Sequence, residues 1–287
     1  MAWSLCRDAE TFLQERCAYL SANESLNCLC WAAIQRSKND APDKPSHTFL
    51  TFENGSSSTA HAFIQHSRQN IVLSPMSGTQ AEQLMAVLWA QGVPLRVAEG
   101  PHEATLRFSG RWSEATGQAH EHLMDQGLYE LRSVDMPDAA GGRLVRAENQ
   151  HRDILHELVQ GFVACFPDQP MTPAMIDERV DRFLHEERAF LWQQSDQSFV
   201  SMAAIVRESP DTSSISWVYT PPERRQRGHA ARVVAALSQA QLDAGKVACN
   251  LHTDLANPTS NRVYTRLGYR KIAESIRIRL MSDNTQL

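Results

Sequence analysis

The segment at residues 218–230, VYTPPERRQRGHA, constrains the fold of this chain more than any other stretch. Residues 215–219 are strand-like, and the two adjacent prolines that follow cannot donate the hydrogen bonds that would continue a sheet. Apolar residues then recur at helical spacing and predict a helix over residues 229–244. The chain therefore has to turn from a strand into a helix through an arginine-rich loop that contains Gly228.

A strand-to-helix turn of this kind is a favourable place for phosphate oxygens, because the first amides of the helix are free and the helix dipole is positive there. Gly228 would let the backbone approach a phosphate closely, and Arg225 and Arg227 could add charge-assisted hydrogen bonds. The alternative interpretation is an ordinary solvated turn with arginines on its surface. The loop alone does not decide between the two.

A second motif, NPTSNRVYTRLGY at residues 257–269, follows a predicted strand at residues 248–253. Asn257 is a good helix N-cap, the proline after it suits the first helical position, and the glycine near the end suits a helix terminus. Tyr264 shares a face of this helix with Asn257 and Asn261. A core aromatic would be the commoner fate of such a tyrosine.

The two motifs, in this order and after these strands, resemble the GNAT superfamily of N-acetyltransferases over roughly residues 143–280. The pyrophosphate loop of that family reads Arg/Gln-x-x-Gly-x-Gly/Ala, and residues 225–230 match every defined position. The resemblance implies acetyl-CoA as co-substrate and Tyr264 as general acid. It also implies a set of cofactor-binding residues, namely Val218, Tyr219, Thr220, Arg225, Gln226, Arg227, Gly228, His229, Ala230, Asn257 and Ser260.

The fold expected from this resemblance is α/β (α+β), with two tandem GNAT-like domains, each a mixed, mostly antiparallel sheet flanked by helices. A length of 287 residues favours two domains, and proline, aspartate and paired glycines interrupt all periodicity at residues 135–142. We predict a degenerate GNAT-like domain at 1–136 and a catalytic domain at 143–287. The first half has no matching loop, so it is assigned no cofactor site. A role in substrate binding or packing, or a wholly different fold, remains open for it.

Hydrophobic patterning predicts the remaining elements. In the first half these are a helix at 9–35, a hairpin of strands 49–52 and 62–64 around Asn54-Gly55, a strand at 71–74, a helix from Thr79 to 89, a strand at 95–97, a helix at 108–116 and a strand at 128–131. In the second half they are strands at 143–147, 189–192, 199–206 and 213–219 and helices at 153–166 and 172–185.

The reaction implied by the resemblance is direct attack of a neutral amine on the acetyl thioester. Backbone amides near Val218 could stabilise the oxyanion, and the phenol of Tyr264 could protonate the leaving sulfur. The sequence offers His252, Asp254 and Glu178 as general bases, and favours none of them.

The expected function is acetyl-CoA-dependent N-acetylation of a primary amine on a small or amino-acid-like acceptor. Acetylation of a protein N-terminus or lysine is the enzymatic alternative, and a non-catalytic acyl-CoA-binding regulatory protein is the other.

Composition excludes several classes of partner. A net charge of −5 with interspersed signs argues against nucleic acid, and the chain has no apolar run long enough for a membrane span. Without an HExxH or CxxC pair, we expect no metal. The first residues lack a basic region followed by an apolar run, so we expect a cytoplasmic protein with reduced cysteines. Oligomeric state stays open.

Overall fold

The computed structural model describes residues 2–6, 8–38, 40, 44–54, 57–137, 141–166 and 170–281. The chain divides into two compact units. Unit 1 comprises Met1–Leu128, Thr253–Ala256 and Lys271–Leu287, and unit 2 comprises Tyr129–His252 and Asn257–Arg270.

Unit 1 is a sheet with helices. In chain order its elements are β1 (Ala2–Cys6), α1 (Ala9–Ala22), α2 (Cys28–Ser37), β2 (His47–Asn54), β3 (Ser57–Gln65), β4 (Asn70–Leu73), α3 (Gly78–Ala90), β5 (Val97–Gly100), α4 (His102–Thr116) and most of β6 (His120–Leu131). The strands β1 to β5 are neighbours in that order, antiparallel except for the parallel pair β4–β5.

Unit 2 repeats this plan. Its elements are β7 (Gly142–Arg146), α5 (Arg152–Val163), α6 (Pro173–His185), β8 (Ala189–Gln194), β9 (Phe199–Glu208), β10 (Thr212–Tyr219), α7 (His229–Asp243), β11 (Ala248–Asp254), α8 (Pro258–Arg266) and the start of β12 (Arg270–Leu280). The strands β7 to β11 are neighbours in that order, antiparallel except for the parallel pair β10–β11.

The same succession of strands and helices therefore occurs twice, which confirms the predicted fold of two tandem domains with mixed, mostly antiparallel sheets. The last strand departs from a simple repeat, because β12 pairs with β5 of unit 1. The units consequently divide the chain differently from the predicted limits of 1–136 and 143–287, since the described residues from 271 onward lie with unit 1.

The sheet of unit 2 is buried on both faces. On one face, Ile215 and Leu251 of the sheet pack with Val233 of α7. On the other, Met202 packs with residues of α5 and α6, among them Leu158 and Val180. Full burial of an aliphatic side chain contributes about 1.5–3 kcal/mol, so α5 and α6 on one face and α7 and α8 on the other are anchored firmly to the strands between them.

The first predicted helix, at 9–35, is wrong in one respect, because it is two helices with a break at residues 23–27. Asparagine side chains compete with the helical backbone there. The Asn23 Oδ1 accepts from the Leu26 amide at 3.2 Å, and the Asn27 Nδ2 donates to the Leu20 carbonyl at 3.3 Å.

The helix predicted from Thr79 begins at Gly78 instead. Its N-cap is Ser77, which forms a capping box with Gln80: the Ser77 Oγ accepts from the Gln80 amide at 3.3 Å and the Ser77 amide donates to the Gln80 Oε1 at 2.8 Å. The strands of the predicted hairpin are confirmed as β2 and β3. Gly55 of its turn and residues 138–140 of the predicted linker lie outside the described residues.

The packing of α5 on β10 generates a stability prediction. A Cβ atom at Gly161 of α5 would lie 2.5 Å from the Cζ and hydroxyl of Tyr219. We expect Gly161→Ala to lower the free energy of unfolding by about 1–3 kcal/mol, because overpacking outweighs the better helix propensity of alanine. Urea denaturation of the purified protein measures the change.

The matched control is Gly110→Ala in the interior of α4, where an added Cβ meets nothing within 4 Å. That substitution should stabilise the protein by about 0.5–1 kcal/mol. Equal stabilisation by both substitutions would show that Tyr219 does not press on α5.

Candidate functional site

The strands β10 and β11 separate halfway along their length. Their parallel pairing covers Thr212 with Ala248, Ser213 with Cys249 and Ser214 with Asn250, and no described residue beyond Ser214 is paired between them. The Ser214 hydroxyl donates to the Asn250 Oδ1 at 2.6 Å at the last paired position. Beyond that point, the backbones of β10 and β11 do not pair with each other, and we refer to this place as the opening between them.

A bulge on the other edge of β10 lies next to this opening. Against β9, Ser216 is opposite Ala204 and Tyr219 is opposite Met202, so β10 carries one extra residue between them. Trp217 has a φ of 53°, in the left-handed region that a bulky residue seldom adopts. The bulge takes the Trp217–Val218 backbone out of the regular ladder with β9.

The predicted phosphate loop follows directly. Two of its residues, Gln226 with φ 63° and Gly228 with φ 77°, have left-handed backbones, a combination that turns successive amides toward one concave side. Gly228 is the N-cap of α7 and has no side chain to cap it, and the first intrahelical bond runs from the Arg232 amide to the Gly228 carbonyl at 3.1 Å. The amides of the first turn of this 15-residue helix are therefore left for an anion.

The Arg225 side chain contacts the end of β10. Its Nε donates to the Thr220 carbonyl at 2.9 Å, and its guanidinium lies 5.8 Å from the ring centre of Tyr219. The Ser201 hydroxyl also donates to the Tyr219 carbonyl at 2.9 Å. These contacts hold the end of β10 to the loop, so Arg225 helps to fix the conformation of the loop.

His229, at the first position of α7, is 4% exposed, and neither ring nitrogen has a hydrogen-bond partner among the described residues. Desolvation lowers its pKa, and the charges of Arg232, Arg227 and Arg224 lower it further. An uncharged histidine beneath three arginines leaves the loop strongly positive. That electrostatic environment fits a pyrophosphate group.

The second motif forms α8 as predicted. The Asn257 Oδ1 accepts from the Ser260 amide at 3.1 Å, which makes Asn257 the N-cap. Tyr264 is half-buried, with its ring edge toward Tyr269 at 5.9 Å between centres, and its hydroxyl has no hydrogen-bond partner among the described residues. Burial raises the pKa of Tyr264 to about 12, so it keeps its proton throughout the neutral range.

The three candidate bases have different surroundings. Asp254 lies in unit 1 and Glu178 is exposed on α6. His252 lies on β11 beyond the last paired residue, but desolvation lowers its pKa to about 3, with a smaller effect from Arg207. Such a histidine is neutral at physiological pH and is too weak a base to take a proton from an ammonium group.

The corresponding turn of unit 1 is capped differently. The turn between β4 and α3 corresponds to the loop between β10 and α7, but the capping box of Ser77 and Gln80 already satisfies amides at the start of the helix. Within the described residues, no three His, Cys, Asp or Glu side chains are grouped to hold a metal. No helix in the described ranges is long and apolar enough to cross a membrane.

Comparison with known proteins gives the class of this fold. The profile of the family described as "FR47-like protein" matches residues 195–278. No curated protein matches the sequence. Across 98% of this chain and 100% of the other, the structure is similar to an acetyltransferase from the GNAT family of Colwellia psychrerythraea, with a TM-score of 0.60 and 10% identity.

Two further solved structures agree. A GCN5-related N-acetyltransferase from Sphaerobacter thermophilus covers 88% of this chain and 91% of its own, with a TM-score of 0.58 and 14% identity. One from Kribbella flavida covers 91% of this chain and 96% of its own, with a TM-score of 0.56 and 16% identity. The chain has the GNAT acetyltransferase fold in two domains.

The environment of His252 generates a prediction about pH. Because its pKa in the folded protein is about 3, against 6.5 ordinarily, the unfolded chain takes up the proton first. The stability that the neutral ring contributes is therefore complete above pH 6.5 and is lost as the pH falls toward 3. Proton NMR of the ring should show no titration of His252 between pH 8 and about 4.5, whereas a midpoint near 6.5 would contradict this environment.

Proposed function

We propose that this protein is an acetyl-CoA-dependent N-acetyltransferase whose catalytic site lies in unit 2 and whose acceptor is the primary amine of a small molecule. One observation carries the proposal: the separation of β10 and β11 leads directly into the uncapped N-terminus of α7. An elongated thioester with a pyrophosphate group fits such a path. Its phosphates would meet the amides of residues 226–230, and its amide-containing arm would lie along Val218, Tyr219 and Thr220.

When bound, acetyl-CoA supplies the acetyl thioester. The bulge at Trp217 and Val218 offers backbone N–H groups to the negative charge that develops on the carbonyl oxygen, and fixed donors of this kind need no reorganisation during reaction. In this proposal, Ser260 and Asn257 at the start of α8 approach the cofactor.

The Tyr264 hydroxyl donates a hydrogen bond to the leaving sulfur. A phenol with a pKa of about 12 donates a hydrogen bond at every physiological pH. Complete proton transfer to a thiolate with a pKa of about 8.5 is uphill by some 5 kcal/mol, so Tyr264 acts mainly by hydrogen bonding as sulfur charge develops. We assign no general base, and the acceptor loses its ammonium proton to water before attack.

The experiments also test two alternative functions. A protein N-terminus or lysine as acceptor requires the same loop and the same tyrosine, and a peptide acceptor assay distinguishes it. A non-catalytic acyl-CoA-binding protein would bind the ligand without releasing thiol. We also propose a cytoplasmic location, on the sequence argument alone.

The first prediction concerns ligand binding. Acetyl-CoA at about a hundred times its Kd should add roughly 2.7 kcal/mol to the free energy of unfolding, visible as a rise in the thermal midpoint. Arg225→Glu should abolish the rise, because it removes the contact with Thr220 that shapes the loop and adds a charge that repels phosphate.

The control for that measurement is Arg146→Gln, which removes an exposed ion pair with Glu187 elsewhere in unit 2. It should leave the acetyl-CoA effect unchanged. An unchanged midpoint of the unsubstituted protein at millimolar acetyl-CoA would reject the proposed function.

The second prediction concerns Tyr264. Tyr264→Phe should lower kcat by about a hundredfold, with little change in the KM for acetyl-CoA, because the lost hydrogen bond forms as charge develops on sulfur. Thiol release at saturating acceptor measures it. With a pKa of about 12, Tyr264 should also produce no fall in rate below about pH 11. An unaltered kcat would remove Tyr264 from the mechanism.

A further inference from the structure

A strip of polar side chains lies on one face of the unit 2 sheet at the point where β10 and β11 separate. The strand register shows which side chains share this face. Arg207 of β9 is opposite Ser214 of β10, and Ser214 is opposite Asn250 of β11. Ile215, Cys249 and Leu251 pack with α7 and α8 on the other face. Because side chains alternate along a strand, His252 lies on the same face as Asn250, one step further into the opening.

Arg207 is half-buried and has no acidic partner among the described residues. The neighbouring Glu208 forms ion pairs with other residues, namely Arg188 at 3.0 Å and Lys246 at 3.9 Å. The half-buried Arg277 of unit 1, by contrast, pairs with Glu99 at 3.3 Å. Arg207 therefore retains an unsatisfied positive charge.

His252 adds a second unsatisfied group. Its Nδ1 is shielded from solvent and has no hydrogen-bond partner in the described part of the chain. Besides desolvation, the positive charge of Arg207 lowers the pKa of its ring. Between them, Ser214 and Asn250 are 2% and 0% exposed and are bonded to each other, so they form a fixed polar floor.

We infer that Arg207 and His252 bind a carboxylate on the acceptor, so that the substrate is an amine that also carries a carboxylate group. Arginine recognises a carboxylate through two parallel N–H donors, and a neutral imidazole can donate one more. This inference rests on the proposed function, because it takes the opening between β10 and β11 as the place of the acetyl group. The acceptor then approaches from the Arg207 face, while Tyr264 lies with α7 and α8 on the opposite face.

The kinetic test compares matched acceptors, namely β-alanine, L-alanine and L-phenylalanine with their carboxamides. The carboxamides are less basic and present more neutral amine at a given pH, so kcat/KM is expressed per neutral amine. We expect the acids to be preferred at least tenfold. Arg207→Gln should lower kcat/KM for the acids by about 30-fold or more, chiefly through KM, and change the carboxamides less than about threefold.

Two further variants serve as controls for the kinetic test. Arg207→Lys, which keeps the charge without the paired donors, should give an intermediate loss. Arg146→Gln should change neither series. The thermal midpoint and its rise with acetyl-CoA establish that each variant is folded and binds the cofactor. Equal use of acids and carboxamides, or equal losses of both in Arg207→Gln, would overturn the inference.

A binding measurement separates this inference from the proposed function. β-Alanine added to the protein should shift the NMR signals of the His252 ring, and its carboxamide should not. Shifts without any acetyl-CoA effect or thiol release would reject the proposed acetyltransferase and retain the carboxylate site. If acetyl-CoA raises the thermal midpoint as expected but β-alanine does not shift the His252 signals, the carboxylate site is rejected and the proposed acetyltransferase is retained.

Discussion

The parallel pairing of β10 and β11 ends at Ser214 and Asn250, and the rest of the site depends on that ending. Up to this point the strands are joined by hydrogen bonds, and the Ser214–Asn250 side-chain bond closes the paired region. Beyond it, each strand has backbone groups without a partner across the gap. Unpaired backbone groups are costly when buried, so the opening favours a ligand that can hydrogen-bond along its length.

Electrostatics divides the opening into regions of different chemistry. At the loop end, three arginines surround a His229 that stays uncharged because it is desolvated and faces their field. On the face of the sheet covered by α7 and α8, burial raises the pKa of Tyr264, so its phenol stays neutral. At the point of separation, Arg207 provides a positive charge beside a neutral His252. A polyanionic carrier, a leaving sulfur and an acceptor carboxylate each have a matching environment in the proposed function.

The corresponding turns of the two units differ in how the helix that follows is capped. Unit 1 has the same order of elements, yet the turn before α3 carries Ser77 and Gln80, whose side chains satisfy the amides that the loop before α7 leaves free. A glycine N-cap leaves those amides available, whereas a capping box uses them. The capping box uses the Ser77 and Gln80 amides, whereas the start of α7 has no side-chain cap.

Much of unit 2 was determined by local sequence. Proline pairs, N-caps and apolar periodicity act within a few residues, so the strand–loop–helix at residues 218–230 and the Asn257 cap of α8 followed from the sequence directly. The break in the first helix did not, because asparagine side chains only reveal their backbone partners in three dimensions. Only the tertiary structure decided that β12 pairs with β5, that desolvation makes His252 a weak base, and that the charge of Arg207 acts on His252. Those outcomes depend on strand register and on burial, which bring together residues distant in sequence and set the charge they carry.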